Sequence, residues 1–444
     1  MSTSKSPAEG IRVAIIGGGP AGLAAAIELA RLPFVDWHLY EQKPAISEIG
    51  TGITLQRSTW KLLKTLGASK HLGAGDFFRP LDGHDNQYRD GRSGVVVKQT
   101  HPPAHVAPHQ APCRVHRGKL QKALLKEVDQ DRIRTGAKLE NIERLPCGKL
   151  RLIFSNGLTS EVDLLIGADG IRSAVRSFAF PDHSVNYTGM TAYRAVVKVS
   201  DVEKINGFSR ATVFWYGTEG KWVYTTPLDN HDWEVTCRIK EADDGDRSTW
   251  GREVSVAKFV ERLQEYCEPV QQLLSLITQV KRFDYFGGTR LNSVIKHGSI
   301  ALIGDASHPL SGAFGAGAAF ALEDAHTLAG ALHWAASSTR SLQDALKLFD
   351  SVRSPYYGAL YRTMDDIAAS HEKTSLEAVS VEEEIVGRIE NVSKSEHNWM
   401  LYHDVSLTPS QLSFFDLFHP EQVDQALEDA ISGNKEEIRV RSVL

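Results

Sequence analysis

The glycine cluster near the start of the chain constrains the fold more than any other feature. Gly17, Gly19 and Gly22 stand at the spacing G-x-G-x-x-G between an apolar β-type run at 12–16 and a helical run at 21–32, and a second β-type run at 37–41 ends on Glu41. Each position answers a physical need: a tight turn at the first glycine, close approach of a pyrophosphate at the second, helix packing on the strand at the third, and a carboxylate to accept from ribose hydroxyls. The glycines alone are a weak signal. The order of strand, helix, strand and acid makes the segment a dinucleotide-binding βαβ opening, without choosing between FAD and NAD.

Two further segments share this construction. Residues 163–176 run as an apolar strand into Asp169-Gly170, followed by Arg172, Ser173 and Arg176, and a hairpin before them is signalled by Ser155, Asn156 and Gly157 between alternating runs. Residues 301–309 run into Gly304-Asp305 and His308, after which Gly312, Gly315 and Gly317 precede a helical run at 318–328. A helix N-terminus beside a glycine-rich loop suits a pyrophosphate or an electron-rich ring edge, and the carboxylate suits ribitol hydroxyls. His308 reads as a structural hydrogen-bond donor as readily as a catalyst.

Between 187 and 284 the texture changes to separated β-type runs at 191–199, 212–216, 222–227 and 234–239, followed by a helical stretch at 254–277, which implies a mostly antiparallel second lobe. Dinucleotide-lobe character returns at 299–304, so the second lobe reads as an insertion. Residues 58–66 and 117–128 read as helical, and 77–112, rich in Gly, Pro, His and Asp, as irregular loops with a few strands. Beyond 341 the composition is helical, and the three glutamates within 381–392 read as a solvated helix face.

A length of 444 residues favours two packed lobes, and 42% hydrophobic and 24% charged residues with a net charge of −5 exclude general disorder and give no basic field for nucleic acid. The early apolar stretch at 11–32 is broken by Gly17, Gly18, Gly19 and Pro20, so neither a signal peptide nor a membrane span is expected, and a cytoplasmic location is. Cys113, Cys147, Cys237 and Cys267 show no CxxC spacing, which fits reduced, packed thiols and no metal site.

In this order the three motifs resemble the class A FAD-dependent aromatic hydroxylases, and among them the salicylate hydroxylase-like flavoprotein monooxygenases of fungi, over most of the chain from Arg12 to the helix after Arg353. The resemblance implies an α/β fold: a Rossmann-like (GR2-type) FAD-binding domain at 1–180 and 285–370, an inserted, mostly antiparallel β-sheet substrate domain at 181–284, and a helical C-terminal region at 371–444. It implies FAD as cofactor, with Gly17, Gly19, Gly22 and Glu41 at the adenosine end, Asp305 at the ribityl or pyrophosphate part, and Asp169 and Gly170 serving both FAD and a transient nicotinamide. Arg117 matches the family arginine that contacts the flavin, a surface arginine at a helix start being the alternative, and Ala21, Gly52, Gly315, Ala316 and Gly317 also fall in the implied cofactor site. A second GxGxxG unit is missing, as in a family whose NADPH or NADH docks briefly.

The implied reaction hydroxylates a small phenolic or aromatic acid with O2 through a flavin hydroperoxide, whose electrophilic outer oxygen demands an electron-rich ring, best a phenolate. Arg194, where related hydroxylases keep a Tyr-Arg pair, has the fork geometry for a carboxylate or phenolate, a sheet-edge ion pair being its alternative. Tyr224 and Tyr216 are the candidate donors, and Tyr224 is the nearer substitute, because Thr226 stands before Pro227 where family members place a tyrosine. Salicylate hydroxylases typically read Pro-His-Gln before the glycine-rich loop. Here Gly312-Ala313-Phe314 replaces it, which suggests a more apolar pocket for an alkylated or polyketide-derived phenol. Epoxidation or oxidative dearomatisation is the other reading of the same cofactor site. No nucleic-acid or membrane partner is expected, and the protein is expected to act as a monomer or homodimer.

Overall fold

The computed structural model describes residues 6–47, 51–104, 106, 107, 109, 111–245, 251–309, 315 and 317–394. The βαβ opening forms from β1 (Ile11–Ile16), α1 (Pro20–Leu29) and β2 (Val35–Glu41). Pro20 starts α1, where its fixed φ and missing N–H cost nothing, and the alanine-rich helix is buried along nearly its whole length. Then follow β3 (Gly52–Leu55), α2 (Arg57–Thr65), β4 (Phe77–Phe78), β5 (Gln87–Asp90), β6 (Val96–Gln99), β7 (Cys113–His116), α3 (Arg117–Leu125) and β8 (Ile133–Thr135). Next come β9 (Leu139–Arg144), the hairpin of β10 (Leu150–Phe154) and β11 (Thr159–Val162), β12 (Leu164–Gly167) and α4 (Ala174–Ala179).

The inserted lobe runs through β13 (Val185–Lys198), α5 (Val199–Val202), β14 (Val213–Tyr216), β15 (Trp222–Pro227), β16 (Asp232–Lys240), β17 (Arg252–Val254), α6 (Val256–Glu261), α7 (Glu268–Ser275) and β18 (Val280–Gly288). The chain then returns through β19 (Ile295–Lys296) and β20 (Ile300–Leu302) to α8 (Gly317–Ser337), α9 (Leu342–Glu377) and α10 (Val381–Val392). The expected single helical stretch at 254–277 is two helices, because Pro269 can only begin one.

One sheet has the order β19-β20-β12-β1-β2-β8 and is parallel except for β19. Its central strands are apolar on both faces, as a sheet covered by helices requires. β12 and β20 are neighbours although the whole second lobe lies between them in sequence, which makes that lobe an insertion.

The other large sheet has the order β17-β18-β13-β16-β15-β14-β5-β6. It is antiparallel apart from the β14–β5 pair, and β5 and β6 reach it from the loop-rich 77–112 segment. Strand alternation divides its side chains: Tyr193, Val223, Val235 and Cys237 share a core with Phe259, Leu263 and Leu273, while Arg194, Tyr224, Glu234 and Thr236 project from the opposite face. At the outer end of that second face α10 lays Ile385 and Ile389 on Tyr88 and Tyr216, leaving Glu382 and Glu383 exposed.

The four cysteines are free thiols, but the expectation that all are packed fails at Cys147, which is exposed in the tight turn between β9 and β10. No described helix is long and apolar enough to cross a membrane. Of the expected C-terminal helical region, residues 395–444 lie outside the described residues.

Candidate active site

The glycine turn is built by close approach. Gly17 has φ +107°, and a Cβ there would run into the backbone of Ala168 and Asp169, so the turn closes directly on the strand end that carries the Asp169-Gly170 motif. A Cβ on Gly22 would strike the Gly17 carbonyl, which seats α1 on the turn. Gly19 differs: nothing lies within 4 Å of its Cβ position, leaving open space beside the first-turn amides of α1. Glu41 ends β2 as expected and accepts from the Gly18 and Lys43 amides, each at 2.8 Å. Gln121 of α3, which gave no signal beyond a helical position, donates to the Gly18 carbonyl at 3.0 Å.

The second and third motifs are tied to the first. Asp169 accepts from Ser173 Oγ at 2.5 Å and from the amides of Ala174 and Val175 at 2.7 and 3.2 Å, fixing the start of α4, while Gly170 takes φ +79°. Arg176 on α4 donates Nη1 to the carbonyls of Asp305 and Ala306 at 3.2 and 2.8 Å. Gly304, at φ +59°, lies so close to Ala21 that a Cβ on it would come within 2.9 Å. Asp305 is exposed, and a Cβ on Gly317, where α8 begins, would stand 3.9 Å from its Oδ1. The cradle therefore has open backbone amides at Gly19 and an exposed carboxylate at a helix start, and it fits a dinucleotide. Ala316, and with it Gly312, Ala313 and Phe314, lies outside the described residues.

Behind the third motif sits a buried charged cluster that sequence reasoning missed. Asp324 of α8 accepts from the Gly304 amide at 2.8 Å, from Arg353 Nε at 2.7 Å and from the Tyr357 hydroxyl. Arg353 also pairs with Glu323 at 3.2 Å. His308 is stacked on Tyr357 in this cluster with Nδ1 against Ser307 Oγ, and burial, aided by Arg353 and Arg176, holds its pKa well below 6.5. A neutral, enclosed imidazole of this kind is the structural reading of His308.

The second face of the inserted lobe's sheet brings together residues far apart in sequence. Arg194 and Tyr224 both lie in register with Thr236, on either side of β16. Glu234, two residues along, accepts from Thr51 Oγ1 at 2.7 Å and Thr236 Oγ1 at 2.9 Å and pairs with Arg114 of β7. Arg114 in turn donates to Thr54 Oγ1 at 2.8 Å and lies 5.2 Å over the Tyr224 ring. Arg194 donates to Thr51 Oγ1 at 3.4 Å and lies 5.3 Å from the Phe283 ring. Burial raises Glu234, but Arg114 and Arg194 outweigh it and hold the carboxyl at about 2. Burial pushes the Tyr224 phenol up to about 12; its hydroxyl bonds Thr226 and Thr212, and its ring lies 4.7 Å from that of Phe214.

The cofactor segment meets this face. A Cβ on Gly52 would collide with Glu234, Leu228 and Arg114, and one on Gly315 would come within 2.8 Å of Thr54 Oγ1. Arg117 heads α3 beside Gly52, its amide on the Thr51 carbonyl at 3.1 Å. Glu234 and Arg114 escaped sequence reasoning because each reads as an ordinary strand position until β7 is laid against β16. Among the described residues His116, Asp229 and Asp232 reach metal-ligand spacing, but Lys119 and Lys198 pair with the two aspartates at 2.9 and 2.8 Å.

A parallel sheet with an inserted antiparallel lobe, and glycine motifs converging on the boundary between them, define a dinucleotide-binding architecture with a second lobe set against the cradle. Comparison with known proteins agrees. A family described as "FAD binding domain" matches residues 10–362. Salicylate hydroxylase from Pseudomonas putida is 26% identical over 416 residues, covering 89% of this chain and 93% of that protein. 6-Methylsalicylate 1-monooxygenase from Aspergillus terreus is 29% identical over 391 residues, covering 82% and 83%. A solved salicylate hydroxylase substrate complex shares the fold with a TM-score of 0.73 at 22% identity, over 89% of this chain and 96% of that one. The chain belongs to the FAD binding domain family and, within it, to the class A FAD-dependent aromatic monooxygenases.

Proposed function

We propose that this protein uses NADPH or NADH and dioxygen to hydroxylate a phenolic aromatic acid. The observation that carries the reading is Arg194, a guanidinium with unused donors on the sheet face that meets Gly52 and the Thr54–Gly315 contact. Gly17, Gly19, Gly22, Glu41, Asp305 and Gly317 would hold FAD, which when bound supplies two-electron reduction and activation of dioxygen. Arg194 takes the substrate phenolate in its fork, which keeps the ring electron-rich, or its carboxylate, which orients the ring. Phe283 and the Tyr224–Phe214 pair offer apolar walls that exclude water. Tyr224, its phenol pushed up to about 12 by burial and its hydroxyl held by Thr226 and Thr212, lends its ring to that wall and does not act as a base. Ala313 and Phe314, in place of polar residues, favour an alkylated or polyketide-derived phenol over salicylate itself.

The test is oxidation of NADPH and NADH by the FAD-loaded protein against salicylates, resorcylates and larger phenols, with peroxide and product mass followed together. Oxidation coupled to gain of one oxygen on an aromatic ring supports the proposal. Turnover only on unsubstituted salicylate removes the preference for larger phenols, and an epoxide or dearomatised product moves the assignment to another flavin oxygenation.

A further inference from the structure

The two arginines at the substrate face are not equivalent, and Glu234 makes the difference. Glu234 is 1% exposed and its oxygens are engaged by Thr51, Thr236 and Arg114. Arg114 is committed in turn, to Glu234, to Thr54 at 2.8 Å and to the Tyr224 ring. Among the described residues Arg194 forms no ion pair: its one hydrogen bond there, to Thr51 Oγ1, is long at 3.4 Å, and its Nε is buried without a partner. Arg238, on the same face of β16, lies 5.8 Å over the Trp222 ring toward the α10 end; beside Glu234 and Gly52, two guanidinium charges against one carboxylate leave one positive charge, and it resides on Arg194. Lys281 lies in register with Arg194 on β18 but has Glu253 of β17 opposite it.

The geometry points to Glu234 as the residue that sets the charge where the sheet face meets Gly52: by neutralising Arg114 it leaves Arg194 as the anion-binding group at that end, so the site takes monoanionic phenols in preference to dicarboxylates. The inference rests on the role given to Arg194 under the proposed function. A second carboxylate beside Arg194 would meet an arginine already paired and would remain uncompensated, which is costly next to groups as buried as Glu234. Glu234 is a positioning residue in this scheme, since it acts through the arginines and need not touch the substrate.

The test measures binding by calorimetry on the FAD-loaded protein, using a hydroxybenzoate, its hydroxybenzenedicarboxylate analogue and a neutral phenol. The wild type should bind the monoanion at least about tenfold more tightly than the dianion. Glu234→Gln releases Arg114 and should shrink that ratio by about tenfold, whereas Arg114→Gln with Glu234→Gln removes one charge of each sign and should restore it. If Glu234→Gln alone does not fold, Arg114→Gln serves: it leaves Arg194 facing Glu234 with no net charge, so the monoanion should weaken about tenfold while the neutral phenol is unaffected. An unchanged ratio in Glu234→Gln, or an equal shift in the single and double variants, overturns the charge-setting role and leaves the hydroxylase reading standing. A wild type that binds no phenol of any charge overturns both.

Discussion

Gly17 and Gly19 are chemically identical, two positions apart, and asked for different things. Gly17 combines φ +107° with a Cβ position inside the Ala168 backbone, so its requirement belongs to folding. Gly17→Ala should destabilise the protein by more than about 1 kcal/mol and abolish FAD retention, seen as a lowered Tm and loss of flavin absorbance on gel filtration. Gly19 has an ordinary φ of −75° and open space around it, so its requirement belongs to the ligand. Gly19→Ala should leave the apoprotein within about 0.5 kcal/mol of wild type and still weaken FAD binding. Equal losses of apoprotein stability in the two variants would show that this separation of roles is wrong.

Elements carry the next level, and here the third motif depends on residues far from it. Asp324 and Arg353 lie on α8 and α9 with no exposed surface, and together they pin the Gly304 amide and so the turn that presents Asp305. Asp324→Ala would leave the buried Arg353 with Glu323 alone and remove the acceptor of the Gly304 amide and the Tyr357 hydroxyl, and a loss of roughly 3 kcal/mol is expected in urea unfolding, together with weaker FAD binding. A variant that keeps its unfolding midpoint would show that the cluster does not hold the turn. Legibility in the sequence follows the same division between local and distant causes. The strands around the glycine motif, the β10–β11 hairpin and β15 were readable, the last over the very residues 222–227, because alternation and turn chemistry are local signals. The attachment of β5 to β14 was not, since a parallel pairing between remote segments leaves no local trace. Arg194 and the glycine motifs were legible as types in a pattern. Glu234 and Arg114 acquire meaning only from the contact between β7 and β16, which no periodicity encodes.

At the scale of the molecule the described residues hold two large hydrophobic cores, one around the parallel sheet and one between β13–β16 and α6–α7, with the charged Arg114–Glu234–Arg194 group where the Gly52 segment meets the inserted lobe. That placement couples the junction to pH. Burial opposes the Glu234 carboxylate, but the arginines depress its folded pKa to about 2 from an ordinary 4.5, so it adds stability above 4.5 and loses it as the pH falls toward 2. The Tm should therefore drop across that window, and less steeply in Glu234→Gln; parallel acid profiles would place the loss elsewhere. The central claim, that this fold and this arginine serve ring hydroxylation, is tested most directly by turnover under isotopically labelled dioxygen with the phenolic acid that best stimulates nicotinamide oxidation. One labelled oxygen atom on the aromatic ring of the product is the predicted result. Nicotinamide oxidation that yields labelled peroxide and no labelled product with any phenolic acid would contradict it.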